Sequence, residues 1–196
     1  MKVRPRLLIG SLIAAVALIA AFTIYAASSS GDDAASRADD AVRLNPSTPF
    51  DQAPIGTNAK VAGQVLPDTY VRTEAGDELP VRSLTGEPLV INYWSSSCLP
   101  CKKELPDFVT AHDELGDAVR FVGINAYAGT PTEIDFAAAR GVDYELYYDG
   151  DGRFATAVGI NSQPVTLFVS ADGTIVQQAG QIDLDQIRAG AAQLVG

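Results

Sequence analysis

Two cysteines and one histidine are all that this chain of 196 residues offers to a zinc site built from those two residue types. A closed tetrahedral zinc site built from cysteine and histidine needs more ligands than that, so a structural zinc domain is excluded. His112 falls on a helical stretch without the His-rich or Glu-rich spacing of a metal site or the partners of a nucleophile triad, and it receives no role. No cysteine follows the N-terminal apolar run, which excludes a lipidated cysteine as anchor. Positive charge is scarce as well. Lys and Arg number 14 against 24 Asp and Glu, for a formal net charge of −10, and three of the basic residues precede Ser28. Nucleic acid is therefore not an expected partner. There is no internal repeat.

What the N-terminus does have is Lys2, Arg4 and Arg6 ahead of an apolar stretch from Leu7 to Ala27, long enough as a helix to cross a bilayer. Asp32, Asp33, Asp39 and Asp40 follow it, so the positive-inside rule puts everything after Ala27 outside the cytoplasm. Residues 1–27 are expected to be a retained single-pass transmembrane signal anchor in the cell membrane. Ala26-Ala27-Ser28 also reads as a small-residue cleavage site, which would give a secreted protein. Residues 28–59, rich in Ser, Ala, Asp, Pro and Gly, suit a flexible tether. Residues 60–196 have the size and apolar content of one domain.

Both cysteines lie in Trp94-Ser-Ser-Ser-Cys98-Leu-Pro-Cys101-Lys-Lys-Glu104-Leu-Pro106. The preceding run Leu89–Trp94 reads as a buried strand, Ser96 or Ser97 is a candidate helix cap, and Cys98 falls at a helix N-terminus. There the helix dipole and the unpaired backbone N–H groups favour a thiolate. Cys101 lies one turn further on, which puts both sulfurs on one face within reach of a disulfide. A bridge closing so short a loop removes little entropy from the unfolded chain, so a reversible dithiol fits better than a structural staple. Lys102 and Lys103 are local exceptions to the acidic balance, read either as support for a thiolate or as ordinary solvated residues.

Strands and helices alternate elsewhere. Two short strands flank an Ala75-Gly76-Asp77 turn within 68–82. Leu105, Phe108, Val109 and Leu115 recur at helical spacing, with Gly116 as a stop and Pro106 as a kink. Val119–Asn125 reads as a strand, Thr132–Arg140 as a helix opened by Pro131, and Tyr144–Tyr148 as a strand. Val165–Val169 and Thr174–Gln178 form a hairpin across Ser170–Gly173, and Leu184–Val195 is a terminal amphipathic helix. The expected class is α/β with a central mixed sheet flanked by helices.

The tryptophan, short spacer, Cys-x-Pro-Cys and Lys-Lys-Glu-Leu-Pro, followed later by Gln163-Pro164-Val-Thr-Leu-Phe-Val, resemble the TlpA/ResA-type (DsbE-like) thioredoxin-like proteins over roughly 61–196. That resemblance implies a thioredoxin-like fold with an N-terminal β-hairpin and an inserted helix and strand. It implies a cis peptide at Pro164 beside the dithiol. A partner's extended segment would pair with Gln163, and Trp94 joins Gln163 in the substrate-binding set. Thioredoxins proper carry a buried aspartate where this chain has Asn92, leaving Glu104 as the available carboxylate, and the glutamate at that place is implicated in tuning the dithiol. A partly buried Glu104 would raise the thiol pKa values by like-charge repulsion and relay the proton of Cys101; a solvated helix glutamate paired with lysine is the alternative. The chain departs from the pattern at Ser97, where a second tryptophan is common, and at Leu99 between the cysteines.

The expected function is a membrane-tethered extracytoplasmic thiol–disulfide oxidoreductase in which Cys98 attacks a substrate disulfide and Cys101 resolves the mixed disulfide. Its cofactor is the redox-active disulfide alone. The partners are extracytoplasmic protein thiols and disulfides. The resemblance favours a reductase of the haem-attachment cysteines of apocytochrome c, with electrons from a membrane thiol carrier of the CcdA/DsbD kind. A DsbA-like oxidant of secreted proteins is the alternative, and a copper carrier is the alternative of another class. A peroxiredoxin-like peroxidase would need Thr-x-x-Cys, which Ser95-Ser-Ser-Cys98 only echoes.

Overall fold

Leu89–Trp94 has apolar residues on both faces of the strand, and in the computed structural model, which describes residues 57–196, all six of these residues are buried. Such a strand needs cover on both sides. The expected anchor, 1–27, and nearly all of the tether, 28–59, lie outside the described residues. Among the described residues no helix is long and apolar enough to cross a membrane.

In chain order the elements are β1 (Tyr70–Arg72), β2 (Glu78–Pro80), a 3-10 turn (Val81–Leu84), β3 (Leu89–Trp94), α1 (Leu99–Leu115), β4 (Arg120–Asn125), α2 (Pro131–Ala138), β5 (Glu145–Tyr148), α3 (Arg153–Val158), β6 (Val165–Val169), β7 (Ile175–Ala179) and α4 (Leu184–Ala192). One sheet runs β2-β1-β5-β4-β3-β6-β7. The β3–β4 and β4–β5 pairs are parallel, and β3–β6, β6–β7, β1–β2 and β1–β5 are antiparallel. The sheet is mixed, as expected. The N-terminal hairpin is there, and α2 with β5 fills the stretch where an extra helix and strand were expected.

Alternation along β3 divides the core. Leu89, Ile91 and Tyr93 join Phe154 and Val158 of α3, Leu84 of the 3-10 turn and Leu66 on one face. Val90 packs with Phe108 of α1 and Ile187 of α4 on the other, where Trp94, Cys101, Leu105 and Ala137 form a neighbouring cluster. Helix α4 comes so close to the sheet that a Cβ on Gly190 would lie 2.3 Å from the Phe168 ring. Close approach of this kind is why glycine occupies the position.

Some boundaries differ from expectation for local reasons. Helix α1 is capped by Cys98 itself, not by Ser96 or Ser97, because the cysteine sulfur accepts the backbone N–H of Cys101. Pro106 lies inside α1, and Gly116 ends it in right-handed geometry. Helix α4 stops at Ala192, short of Val195, and opens with a reciprocal Asp183–Gln186 capping box. Helix α3 was not foreseen. It follows left-handed Gly152, and its first N–H groups are capped from upstream by the buried Asp149 carboxylate, which accepts from Phe154 N at 2.8 Å and Ala155 N at 2.9 Å.

Candidate active site

The end of β3 delivers the chain directly into α1, so the cysteines sit at the C-terminal edge of the parallel strands. Cys98 and Cys101 form a disulfide with Cα atoms 5.3 Å apart. Their environments differ. Cys101 is fully buried against Trp94 and Leu105, whereas Cys98 is half-buried at the start of the helix. The Cys101 N–H donates to Cys98 Sγ at 3.2 Å, a contact that would stabilise negative charge on that sulfur once the bridge is open. Lys102 holds its ammonium over the Phe136 ring, 5.6 Å from the centroid.

Glu104, one turn beyond Cys101, is only 1% exposed. That removes the reading of a solvated glutamate paired with lysine. Asn92 Nδ2 donates to its Oε1 at 2.9 Å and the Ile182 N–H to its Oε2 at 3.3 Å. Burial pushes the carboxyl up to about 7, against the lowering effect of those two donors. A polar opening of about 300 Å³ lined by Lys103, Asp107, Gln181 and Asp183 leads to it from solvent. The carboxyl thus reaches the buried Asn92 on β3 from the helix.

The Gln163–Pro164 peptide is cis, as the resemblance implied. Ser95 Oγ donates to Gln163 Oε1 at 2.7 Å and lies 3.2 Å from Ser97 Oγ, which in turn lies 2.9 Å from Tyr127 OH. Ser96 is held from below. Its N–H donates to Glu133 Oε2 at 3.0 Å, and its hydroxyl donates to Oε1 of the same buried carboxylate. Asn125 Nδ2 donates to Glu133 Oε2 at 2.6 Å, and Asn125 Oδ1 accepts the Tyr127 N–H at 2.8 Å.

Residues 62–178 match the AhpC/TSA family. The chain belongs to the AhpC/TSA family. Among curated relatives, the thiol-disulfide oxidoreductase ResA of Halalkalibacterium halodurans is 25% identical over 117 residues, covering 59% of this chain and 66% of that protein. The match thus spans just under two thirds of that relative's length. A secreted Mycobacterium tuberculosis disulfide oxidoreductase, described as homologous to E. coli DsbE, superposes with a TM-score of 0.56 at 25% identity, covering 65% of this chain and 96% of that one. A thiol:disulfide interchange protein of the thioredoxin family from Chlorobium tepidum reaches a TM-score of 0.58 at 20% identity, covering 71% and 100%, which shows the fold. This member of the AhpC/TSA family therefore has a thioredoxin-like α/β fold, as the TlpA/ResA-type resemblance implied.

Of the expected site residues of this AhpC/TSA-family chain, Cys98 and Cys101 form the disulfide, Glu104 is buried one turn beyond Cys101, and Gln163, which precedes cis-Pro164, is joined through Ser95 to the loop that carries Cys98. Trp94 corrects an expectation. It is fully buried beneath α1 and α2, stacked on Phe136 with ring centroids 5.8 Å apart, and offers no surface to a substrate. Its role is to back Cys101. His112, given no role, packs edge-on against Phe121 and Tyr144. The sequence reading passed over Glu133, Asn125 and Tyr127, whose distance along the chain from Cys98 leaves no local pattern; the single hint was a carboxylate in the first turn of a Pro-opened helix.

Proposed function

We propose that this protein is an extracytoplasmic thiol–disulfide oxidoreductase, tethered to the membrane by its N-terminal segment, that transfers two electrons from the Cys98–Cys101 dithiol to disulfides of protein substrates. The observation that carries this reading is the asymmetry of the pair: a half-buried Cys98 capping a helix, and a fully buried Cys101 one turn behind it.

In the reduced form the Cys98 thiolate attacks one sulfur of the substrate disulfide. A mixed disulfide forms and the first substrate sulfur leaves as a thiolate that takes a proton. Cys101 then gives up its proton, with Glu104 as acceptor, and its thiolate attacks Cys98 Sγ. The internal disulfide closes and the second substrate sulfur leaves as a thiolate that takes the proton held by Glu104, so the substrate gains two electrons from the dithiol and two protons, one from solvent and one from Cys101. A carboxyl held near 7 exchanges protons at neutral pH, and the opening beside Lys103 and Asp107 connects it to water. No metal, flavin or nucleotide enters this chemistry. A membrane dithiol carrier of the CcdA/DsbD kind would reset the bridge, and apocytochrome c cysteines are the proposed substrate.

Reduction is favoured over oxidation because the ionised Glu104 opposes a thiolate nearby, which stabilises the disulfide relative to the open form. The opposite reading, an oxidant of secreted proteins, draws on the Cys101 N–H that points at Cys98 Sγ. The reduction potential separates them. A value of about −270 mV or lower supports the reductase, and one near about −120 mV makes the protein an oxidant. Cys101→Ser in the full chain is expected to trap partners as mixed disulfides through Cys98; absence of any adduct that Cys98→Ser abolishes would sink the attack assignment.

A further inference from the structure

Two large apolar side chains stand exposed next to the residues of the Cys98 loop. Leu99, which follows it, is 70% exposed. Tyr127, 46% exposed, comes from the loop after β4 and is bonded to Ser97, which precedes Cys98. Isolated exposed apolar residues are ordinary, but here one directly follows the reactive cysteine in the chain and the other is hydrogen-bonded to the residue that precedes it.

Tyr127 is fixed at both ends. Its backbone N–H is held by Asn125 Oδ1 at 2.8 Å, and its hydroxyl lies 2.9 Å from Ser97 Oγ. The donors in that chain can be assigned. Each hydroxyl donates only once, and Ser95 already donates to Gln163 Oε1. Ser97 must then donate to Ser95, and Tyr127 to Ser97. A single directed line runs Tyr127 to Ser97 to Ser95 to Gln163, the residue before cis-Pro164. The Ser96 end of the same loop is tied through Glu133 to Asn125, the residue that also holds Tyr127. Ring and reactive cysteine are therefore parts of one clamped unit. An aromatic ring held this way presents contact area at little entropic cost.

We propose that Tyr127 is a specificity-determining residue that contacts the substrate: it receives an apolar or aromatic side chain next to the cysteine under attack, within an extended polypeptide segment. This rests on the oxidoreductase reading above and names the substrate feature that reading leaves open. Asn125 and Glu133 are positioning residues for it.

The test uses the reduced full chain and three disulfides: a peptide with Phe beside one cysteine, the same peptide with Ser in that place, and glutathione disulfide. Tyr127→Ala is expected to raise KM for the Phe peptide about tenfold, with kcat, the Ser peptide, glutathione disulfide and the reduction potential all within about twofold of wild type. Tyr127→Phe, which breaks the hydrogen bond to Ser97 and keeps the ring, is expected to raise that KM by about threefold. An unchanged preference for the Phe peptide in Tyr127→Ala overturns the inference. An equal loss on all three substrates, or a moved potential, overturns it too, since that is the signature of a merely structural residue. Wild-type protein that reduces none of the three disulfides refutes the oxidoreductase reading itself, a result separate from any variant.

Discussion

Replacing Glu104 by glutamine should make the protein more stable at neutral and alkaline pH, although it removes a hydrogen-bonded carboxylate from the core. In the folded state the carboxyl titrates at about 7 because burial disfavours its charge, against 4.5 for the unperturbed group. Between those two values the folded protein holds a proton that the unfolded chain has released. Unfolding therefore becomes easier as pH rises, by about 1.4 kcal/mol per pH unit across that window. The stability linked to the protonated carboxyl is fully present below 4.5 and is lost as pH passes through about 7, a total on the order of 3 kcal/mol. Glutamine carries no such dependence and fits the same partners. Its carbonyl oxygen accepts the Ile182 N–H, and its amide donates to Asn92 Oδ1 once the Asn92 amide turns over; that oxygen has no partner among the described residues in the present arrangement. Urea denaturation of the oxidised full chain at pH 5, 6, 7 and 8 measures the effect. The variant-minus-wild-type difference should climb by about 2.5 kcal/mol between the first and the last of these pH values, and taking the difference cancels the contribution of every other titrating group. A difference that stays flat within about 1 kcal/mol across the series would refute both the raised pKa and the proton-acceptor role built on it.

Two further expectations concern packing and capping. Gly190→Ala places a methyl group against the Phe168 ring, where a Cβ would lie 2.3 Å from the nearest carbon, and should cost about 1–3 kcal/mol by overpacking, read as a lower urea midpoint with an unchanged slope. Asp149→Ala removes the carboxylate that accepts from the Tyr93 hydroxyl and from the Phe154 and Ala155 N–H groups, and should cost about 2–4 kcal/mol; hydrogen exchange at Phe154 and Ala155 should accelerate more than at β3, and equal acceleration throughout would refute a local cap.

The sheet was legible because its inner strands are continuous apolar runs, and Leu89–Trp94 and Val165–Val169 fall where those runs do. Helix α3 was not, since Arg153–Val158 is six residues long with Phe154 and Val158 as its buried anchors, and its cap comes from Asp149, upstream of the Gly152 that precedes it. The helix cap was misread for a similar reason. Ser96 and Ser97 are good caps in isolation, but their hydroxyls are spent on Glu133 and Tyr127, which leaves Cys98 to accept the helix N–H. Trp94 shows the limit of a motif: it shares a strand face with Asn92, and that face lies under α1, so a residue beside the dithiol in sequence ends beneath it in space.

The two buried glutamates near the dithiol, on different helices, divide its requirements between them. Glu133 accepts from the Ser96 N–H, the Ser96 hydroxyl and Asn125, a donor set drawn partly from the loop that carries Cys98, so removing it would release that loop. Glu104 accepts from Asn92 and Ile182, neither of which belongs to the cysteine loop, so its protonation can change without moving the sulfurs. A thiol–disulfide exchange site needs both properties at once: a nucleophile that stays aimed while its partner changes, and a proton acceptor whose charge state can follow the reaction. Had one carboxylate served both ends, each proton transfer would have altered the hydrogen bonds that aim Cys98. Separation onto α1 and α2 avoids that coupling.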